Sequence, residues 1–296
     1  MSIKSRCIHI LFWNVVILSL LVFSCASKKP MWGDPQTGLI LQYRIAQDQK
    51  LNYNVSINQT QEIDLMSLMG QVMETVTDVN LDFTMEGTGI DEQQNLSAQI
   101  KMDALDIAVS SMQGKTNINT SVLIGKSFGM SLSPIGRKEF IDIESVPKIN
   151  FGEMSGEQSV KSYFMELFSE LSANPVKIGE SWTVQSEFTE STGNLDLLIK
   201  LESQNTLDGL ETVDGMECAR IQTQYTGTIS GSGTQGGMYM TLVGDLESTA
   251  TWYFAFKEGL FVKEIEKQSL DAEIDLGDMG VLPMVQNTTL ETKLIP

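Results

Sequence analysis

The sequence predicts a mainly β protein: a long-stranded, curved antiparallel sheet, shaped as an open half-barrel or clam, with one main helix near 159–173. Apolar and polar residues alternate with a period of two over most of the chain after residue 39, which is typical of strands that bury one face. Residues that favour turns separate these runs. Only one stretch carries apolar residues at helical spacing.

The first alternating run covers 51–65, and a return strand follows at 79–85. Gly70 separates the two runs, so we expect a long hairpin with Leu-Met-Gly near its tip. Three methionines close to this tip would also fit one face of a helix: Met66, Met69 and Met73. The alternation on both sides favours the hairpin.

Further strands are predicted at 96–102, 128–132, 182–188, 195–201, 219–225, 239–256, 260–276 and 284–294. Turn residues end several of them, notably Ser133-Pro134-Ile135-Gly136 and Lys257-Glu258-Gly259. A straight strand of 15 residues would span about 50 Å, which is longer than usual. The sheet is therefore expected to bend or twist.

The helical pattern at 159–173 rests on four apolar residues, and Asn174-Pro175 ends it. These residues are Phe164, Leu167, Phe168 and Leu171. We expect one β domain over 39–296. The patterning would also fit two weakly similar halves, 39–158 and 174–296, joined by the helical segment.

Residues 1–24 have the features of a bacterial lipoprotein signal peptide. Lys4 and Arg6 precede an apolar run at 8–23, and the small Ser24 stands before Cys25. This end of the signal resembles the lipobox of bacterial lipoproteins, which implies cleavage after Ser24 and acylation of Cys25. A transmembrane anchor is the alternative, but the run is shorter than the ~20 residues that a spanning helix needs.

Residues 25–38 are predicted to be a lipidated tether, since they lack periodicity and contain Pro and Gly. The whole chain has a net charge of −18; the signal removes Lys4 and Arg6 but none of the 38 acids, so the mature charge is about −20. Such a surface repels nucleic acid, and it would be held at a membrane by acyl chains on Cys25. Lys28 and Lys29 follow the anchor without an acid, which, by resemblance to the sorting of other lipoproteins, favours the periplasmic leaflet of the outer membrane.

Composition leaves few groups for catalysis. The one histidine, His9, lies in the signal, so the mature chain has no imidazole for acid–base or metal chemistry. Cys218 is the one cysteine left beside Cys7 of the signal and the acylated Cys25. It falls in a strand pattern, where we expect it to be a small buried apolar residue. No catalytic, cofactor-binding or metal-ligating residues are predicted.

Three motif matches lack the context that their chemistry needs. The GxSxG pattern at 125–129 precedes a strand rather than a helix. The GxGxxG pattern at 231–236 is better explained as a Gly/Ser hairpin loop, because a β run follows it. In the SxxK pattern at 145–148, Pro147 disfavours the helical turn. Asp275 and Asp278 would fit a turn as well as a loose calcium contact.

Several segments resemble a family of uncharacterised bacterial lipoproteins, a domain of unknown function common in Bacteroidetes. They are 50–57 with the Met-Gly-Gln at 69–71, 125–136, and Pro175-Val176-Lys177-Ile178-Gly179-Glu180-Ser181-Trp182. The resemblance implies a secreted, mostly β protein and brings no known active site. At the level of the fold, a long-stranded curved sheet with a helix on it is similar to lipoprotein-carrier half-barrels, which shelter acyl chains.

Two functions follow as expectations. The first is a non-catalytic binding or scaffolding lipoprotein that meets other envelope proteins through its acidic face and sheet edges. The alternative is a carrier or sensor that holds a lipid or another hydrophobic ligand on the concave face. Its cavity would use some of the 16 methionines and five aromatic residues, which would equally suit a filled core: Phe83, Phe128, Phe164, Phe168 and Trp182.

Overall fold

The computed structural model describes residues 31–151, 156–165, 167–192, 195–235 and 238–296. Most of these residues lie in strands, and none of the helices among them is long and apolar enough to cross a membrane. The predicted signal at 1–24 and the predicted acylation site Cys25 lie outside the described residues.

The first ten strands are β1 (Gly33–Asp34), β2 (Gly38–Leu39), β3 (Lys50–Asp64), β4 (Val72–Ile90), β5 (Leu96–Ser111), β6 (Gly114–Asn117), β7 (Ser127–Leu132), β8 (Lys138–Ile141), β9 (Lys148–Asn150) and β10 (Glu157–Ser159). The C-terminal strands are β11 (Ser181–Thr192), β12 (Leu195–Val213), β13 (Met216–Gln235), β14 (Met238–Ala255), β15 (Leu260–Asp275) and β16 (Val281–Ile295). The described α-helices are α1 (Met66–Met69) and α2 (Lys161–Met165). Short 3-10 turns occupy Ser121–Leu123, Ile143–Ser145 and Gly277–Met279.

Fourteen strands form one antiparallel sheet, in the order β8-β7-β5-β4-β3-β16-β15-β14-β13-β12-β11-β10-β9, with β6 paired to β5. The first long strand, β3, pairs with the last, β16, so both halves of the chain share the sheet. The sheet is curved and does not close. The predicted fold class and all of the predicted long strands are confirmed, while the internal duplication stays a prediction.

Glycines on the inner face let the C-terminal strands approach one another closely. A Cβ on Gly231 would lie 2.2 Å from the carbonyl oxygen of Asp196, and one on Gly227 would lie 2.4 Å from that of Lys200. Both oxygens belong to β12, the neighbour of β13. Only a residue without a side chain fits these positions, which explains how long strands curve here instead of extending straight.

Two apolar clusters fill the inside of the curve. The main core lies where residues 39–45, 160–165 and 167–171 cover the inner face, and its largest side chains include Trp252, Tyr53 and Phe83. The second apolar cluster lies further along the same strands, towards the β3–β4 and β15–β16 hairpin ends. Its buried members are Ile229, Leu242, Leu246, Leu270, Ala272, Ile274, Leu282 and Met284.

The predicted helix at 159–173 is shorter than expected. α2 covers five residues, and residue 166 lies outside the described part. Phe168 has a φ of 60°, a left-handed conformation that a continuing helix does not allow. Lys138 Nζ donates to the carbonyl oxygens of Leu167 and Phe168, which replaces helical hydrogen bonds. The four apolar residues that predicted the helix are nevertheless buried.

The predicted β3–β4 hairpin is confirmed, and two local features add detail to the predictions. In the predicted tether, residues 31–38 include the β1–β2 ladder, and Leu39 exchanges backbone hydrogen bonds of 2.8 and 2.9 Å with Val176. This end of the tether is folded because it joins the ladder next to the main core. At the tip of the β3–β4 hairpin, the chain forms the single helical turn α1, which ends at Gly70 with a φ of 70°.

Candidate functional site

A cavity of about 250 Å³ lies between the inner face of β11–β15 and the segment that contains α2. The 136–138 turn forms its third wall. The lining residues on the sheet are Val184, Ser186, Phe188, Leu201, Ser203, Asn205, Tyr225, Leu246, Glu266 and Gln268; the other walls supply Gly136, Arg137, Lys138, Met165, Ser169 and Glu170. Arg137 and Ser186 are exposed and mark the mouth, whereas Glu266 and Asn205 are buried at depth.

The cavity lies at a polar part of the inner face of the sheet, between the two apolar clusters. Strand register brings Ser203, Tyr225, Ser248 and Gln268 into one row across four strands. The neighbouring row towards the main core carries Asn205, Thr223, Ala250 and Glu266. These two rows, which we call the polar band, separate the main core from the second apolar cluster.

A chain of hydrogen bonds orders one side of the polar band. Trp252 Nε1 donates to Thr223 Oγ1 at 2.8 Å, and Thr223 Oγ1 donates to Asn205 Oδ1 at 2.7 Å. Asn205 Nδ2 then donates to Ser203 Oγ at 3.1 Å. All four side chains are buried, so each polar group finds its partner within the chain. This network fixes Ser203 on the cavity wall.

Glu266 brings a carboxyl group into the cavity wall, and only 8% of the residue is exposed. Burial raises the pKa of this carboxyl, while a hydrogen bond donated by the hydroxyl of Ser248 opposes the rise. None of the ion pairs among the described residues includes Glu266. The wall therefore carries a carboxyl group without a cationic partner.

The wall opposite the sheet carries a second polar group, the hydroxyl of Ser169. This residue is 8% exposed, and its Oγ has no hydrogen-bond partner among the described residues. Its carbonyl oxygen accepts a 2.8 Å hydrogen bond from Tyr43, which holds the backbone in place. Burying a hydroxyl without a partner costs free energy, so this orphan group is a reason to look for a ligand.

The cations at the cavity are already engaged. Arg137 Nε lies 3.1 Å from Glu170 Oε1 in an ion pair at the mouth. Lys138 Nζ donates to two carbonyl oxygens of the segment that follows α2. An apolar wall with a few buried polar groups is the usual composition of a small-molecule site. The arrangement can bind and orient a small amphiphilic molecule.

Other side chains offer little reactive chemistry. Among the described residues, no cluster of three or more acids, histidines or cysteines is placed to hold a metal. Cys218 is buried, as predicted, and burial raises the pKa of its thiol to about 11. A thiol that stays protonated at neutral pH is a poor nucleophile.

The structure separates the aromatic residues from the cavity. Four of the five belong to the main core: Phe83, Phe128, Phe164 and Phe168. Trp182 is partly buried and donates a 3.1 Å hydrogen bond to the carbonyl oxygen of Glu170. None of the five lines the cavity: four are core residues, as the sequence allowed, and Trp182 packs against that core.

The motif matches form no described site. Ser127 is exposed at the start of β7, and a strand follows it as predicted. The loop predicted at 231–236 is wrong up to residue 235, because β13 continues to Gln235 and its glycines pack against β12. Ser145 donates to the carbonyl oxygen of Asp142. Asp275 accepts a 2.8 Å hydrogen bond from the backbone of Gly277, which is a turn contact.

Sequence reasoning missed the cavity residues, among them Glu266, Ser203 and Ser169. The available signal was the set of polar residues at inward positions of alternating strands, where apolar residues are expected. Glu264, Glu266 and Gln268 occupy three successive inward positions of β15.

Comparison with models of known protein families finds no match, and comparison with curated protein sequences finds none either.

Proposed function

We propose that this chain is a lipid-anchored protein of the cell envelope that binds a hydrophobic ligand, without catalysis, inside its curved sheet. The cavity between the sheet and the α2 segment is the observation that carries the proposal. Its walls combine apolar side chains with buried polar groups, which is what a ligand with an apolar body and one polar end requires.

The position of the cavity supports a carrier or sensor more than a surface scaffold. The cavity borders the second apolar cluster through Leu246, and Leu201 packs against that cluster. A ligand in the cavity would therefore bury apolar surface against both residues, and such burial is the main source of affinity for apolar ligands. Anchoring through Cys25 is part of the proposal.

Native mass spectrometry and lipid extraction test this function on a chain that begins at residue 26. Both apolar clusters and the strands that form them lie after residue 38, so this chain retains the described folded body. We expect a co-purifying lipid in stoichiometric amount, or saturable uptake of one N-phenyl-1-naphthylamine per chain. A clean protein that takes up no dye would overturn the proposal.

Contact with another envelope protein is a second candidate, favoured by apolar residues at one end of the sheet. The β3–β4, β13–β14 and β15–β16 hairpins end side by side. Their exposed apolar residues include Met66, Met69, Met238, Tyr239, Met279 and Val281. Exposed apolar groups that lie close together are typical of protein interaction sites.

A photo-crosslinking residue at position 69, compared with one at position 258, tests the second candidate in intact cells. Glu258 is exposed in the turn at the opposite end of the sheet. A discrete adduct at position 69 alone is expected if the hairpin ends bind a partner. Equal labelling at both positions would reject the proposed contact with another envelope protein.

A further inference from the structure

Four charged side chains line the cavity, two cationic and two acidic, and their contacts among the described residues differ. Arg137 is paired with Glu170, and Lys138 Nζ is hydrogen-bonded to two carbonyl oxygens. Glu266 is buried, faces the cavity and belongs to none of the ion pairs among the described residues. Glu266 is therefore a buried carboxyl on the cavity wall that forms no ion pair with any described residue.

The hydrogen-bond acceptors on the same part of the cavity wall also favour a ligand that donates hydrogen bonds. Ser169 Oγ is buried, has no partner in the part of the chain that the structure describes, and can accept a hydrogen bond. Ser203 and Gln268 bring further oxygen atoms to the wall. An ammonium group donates three hydrogen bonds, so it fits a wall that is rich in acceptors.

We propose that the cavity binds the amino head group of an alkylamine-type amphiphile, with Glu266 and Ser169 as its hydrogen-bond acceptors and the alkyl chain against Leu201, Leu246 and Phe188. This inference rests on the proposed function and names its ligand class. The excess of acidic residues in the chain also attracts cationic ligands.

The buried carboxyl of Glu266 favours a cationic head group over an anionic or a neutral one. A carboxyl whose ionised form is disfavoured by burial gains most from a nearby positive charge. A ligand carboxylate would instead place a second acid beside Glu266, and a neutral alcohol would leave the charge unmatched. The volume of about 250 Å³ equals that of roughly eight water molecules in the liquid. This space suits a head group with a short chain.

Calorimetric titration with octylamine, octanol and octanoate, on the chain that begins at residue 26, tests the inference. The three probes share their alkyl chain and differ in the head group. We expect octylamine to bind about tenfold more tightly than either of the others, which is the effect of one charged hydrogen bond. Glu266→Gln should remove this preference for octylamine over octanol.

Two further variants show whether the effect belongs to the cavity. Ser169→Ala should weaken octylamine binding severalfold. Glu264→Gln is the matched control, because Glu264 is buried on the same face of β15 but does not line the cavity; octylamine should bind it as it binds the unaltered chain. If octanol or octanoate binds as tightly as octylamine, or if Glu266→Gln keeps the preference, the inference is wrong while the proposed function stands. If none of the probes binds, both are wrong.

Discussion

At the scale of single residues, the inner face of this sheet is unusual in burying polar side chains in successive rows. Asn205 and Thr223 satisfy one another, whereas Glu266 and Ser169 face the cavity. A folded chain keeps such groups only if their hydrogen bonds offset the cost of burial or if they serve a ligand. We therefore expect substitutions at Thr223 to lower stability and substitutions at Glu266 to change how stability depends on pH.

Glu266→Gln is expected to change how stability depends on pH. The raised pKa of Glu266 means that the folded chain binds a proton more tightly than the unfolded chain. Its contribution to stability is thus present below the unfolded pKa of about 4.3 and is lost as pH rises through the folded pKa. Glutamine carries no charge, so the variant should gain in melting temperature relative to the unaltered chain between pH 4 and pH 8.

The other ionisable side chains on the cavity wall are Glu170, Arg137, Lys138 and Tyr225. Glu247→Gln is the control, since Glu247 is exposed on the outer face of β14 and should show no such trend. A loss of stability in Glu266→Gln at pH 8 would mean that the ionised carboxylate is paired with a cation, contrary to the account.

Thr223→Val should be destabilised by about 2–4 kcal/mol in urea unfolding. The substitution keeps the shape of the side chain but removes the acceptor of Trp252 Nε1 and the donor to Asn205 Oδ1, and each lost partner costs about 1–3 kcal/mol. Thr223→Ser keeps the hydroxyl and loses one methyl, so about 1 kcal/mol is expected. Equal effects would show that the network adds nothing to stability.

At the scale of elements, the long strands were predictable and the short segments were not. Alternation over many residues is a strong local signal, and it identified β3, β14 and β15. The helix near 159–173 was overestimated because helical spacing of apolar residues also describes an irregular segment that buries them. Tertiary contacts decided its form, namely the left-handed Phe168 and the hydrogen bonds from Lys138.

Gly227→Ala tests the account of strand curvature. A methyl group there would meet the carbonyl oxygen of Lys200 at 2.4 Å, so β13 must shift away from β12. Overpacking of this kind costs roughly 1–3 kcal/mol in the free energy of unfolding. The measurement is the urea midpoint.

Gly209→Ala is the matched control on β12. Its Cβ would have only Arg220 Nη2 within 4 Å, at 3.7 Å, and its φ is not left-handed. It should be neutral or more stable by up to about 1 kcal/mol. Similar midpoints for both variants would refute the close-approach explanation.

At the scale of the whole molecule, the described chain begins beside Val176, at the end of the sheet where the main core lies. The β3–β4 and β15–β16 hairpins lie at the other end. If Cys25 is acylated, the tether joins the folded body at the main-core end. The β3–β4 and β15–β16 hairpin ends lie about 50 Å further along the strands.

Cys25→Ser tests the anchor in cells that are given a clickable fatty acid. The unaltered protein should incorporate the label and fractionate with membranes, because the proposed function attaches the acyl chains through Cys25. The serine variant should do neither, and Cys218→Ser, the control at a buried thiol, should behave as the unaltered protein does. Label on the Cys25→Ser variant would disprove the lipoprotein interpretation.

The cavity could not be located from the sequence, for a physical reason. Its walls come from five strands and from the segment around Ser169, which are distant in the chain and meet only after the sheet curves. Periodicity shows that Glu266 points inward but not what it faces. The aromatic residues gave the more visible signal, yet they fill the main core.

The most direct test of ligand binding inside the sheet compares two tryptophan substitutions on β11. Val184→Trp places a large side chain on the cavity wall, whereas Thr183→Trp places it on the opposite, exposed face. The measurement is uptake of N-phenyl-1-naphthylamine by chains whose circular dichroism spectra and melting temperatures match. The account predicts uptake by the unaltered chain and by Thr183→Trp, and none by Val184→Trp. Undiminished uptake by Val184→Trp would contradict it.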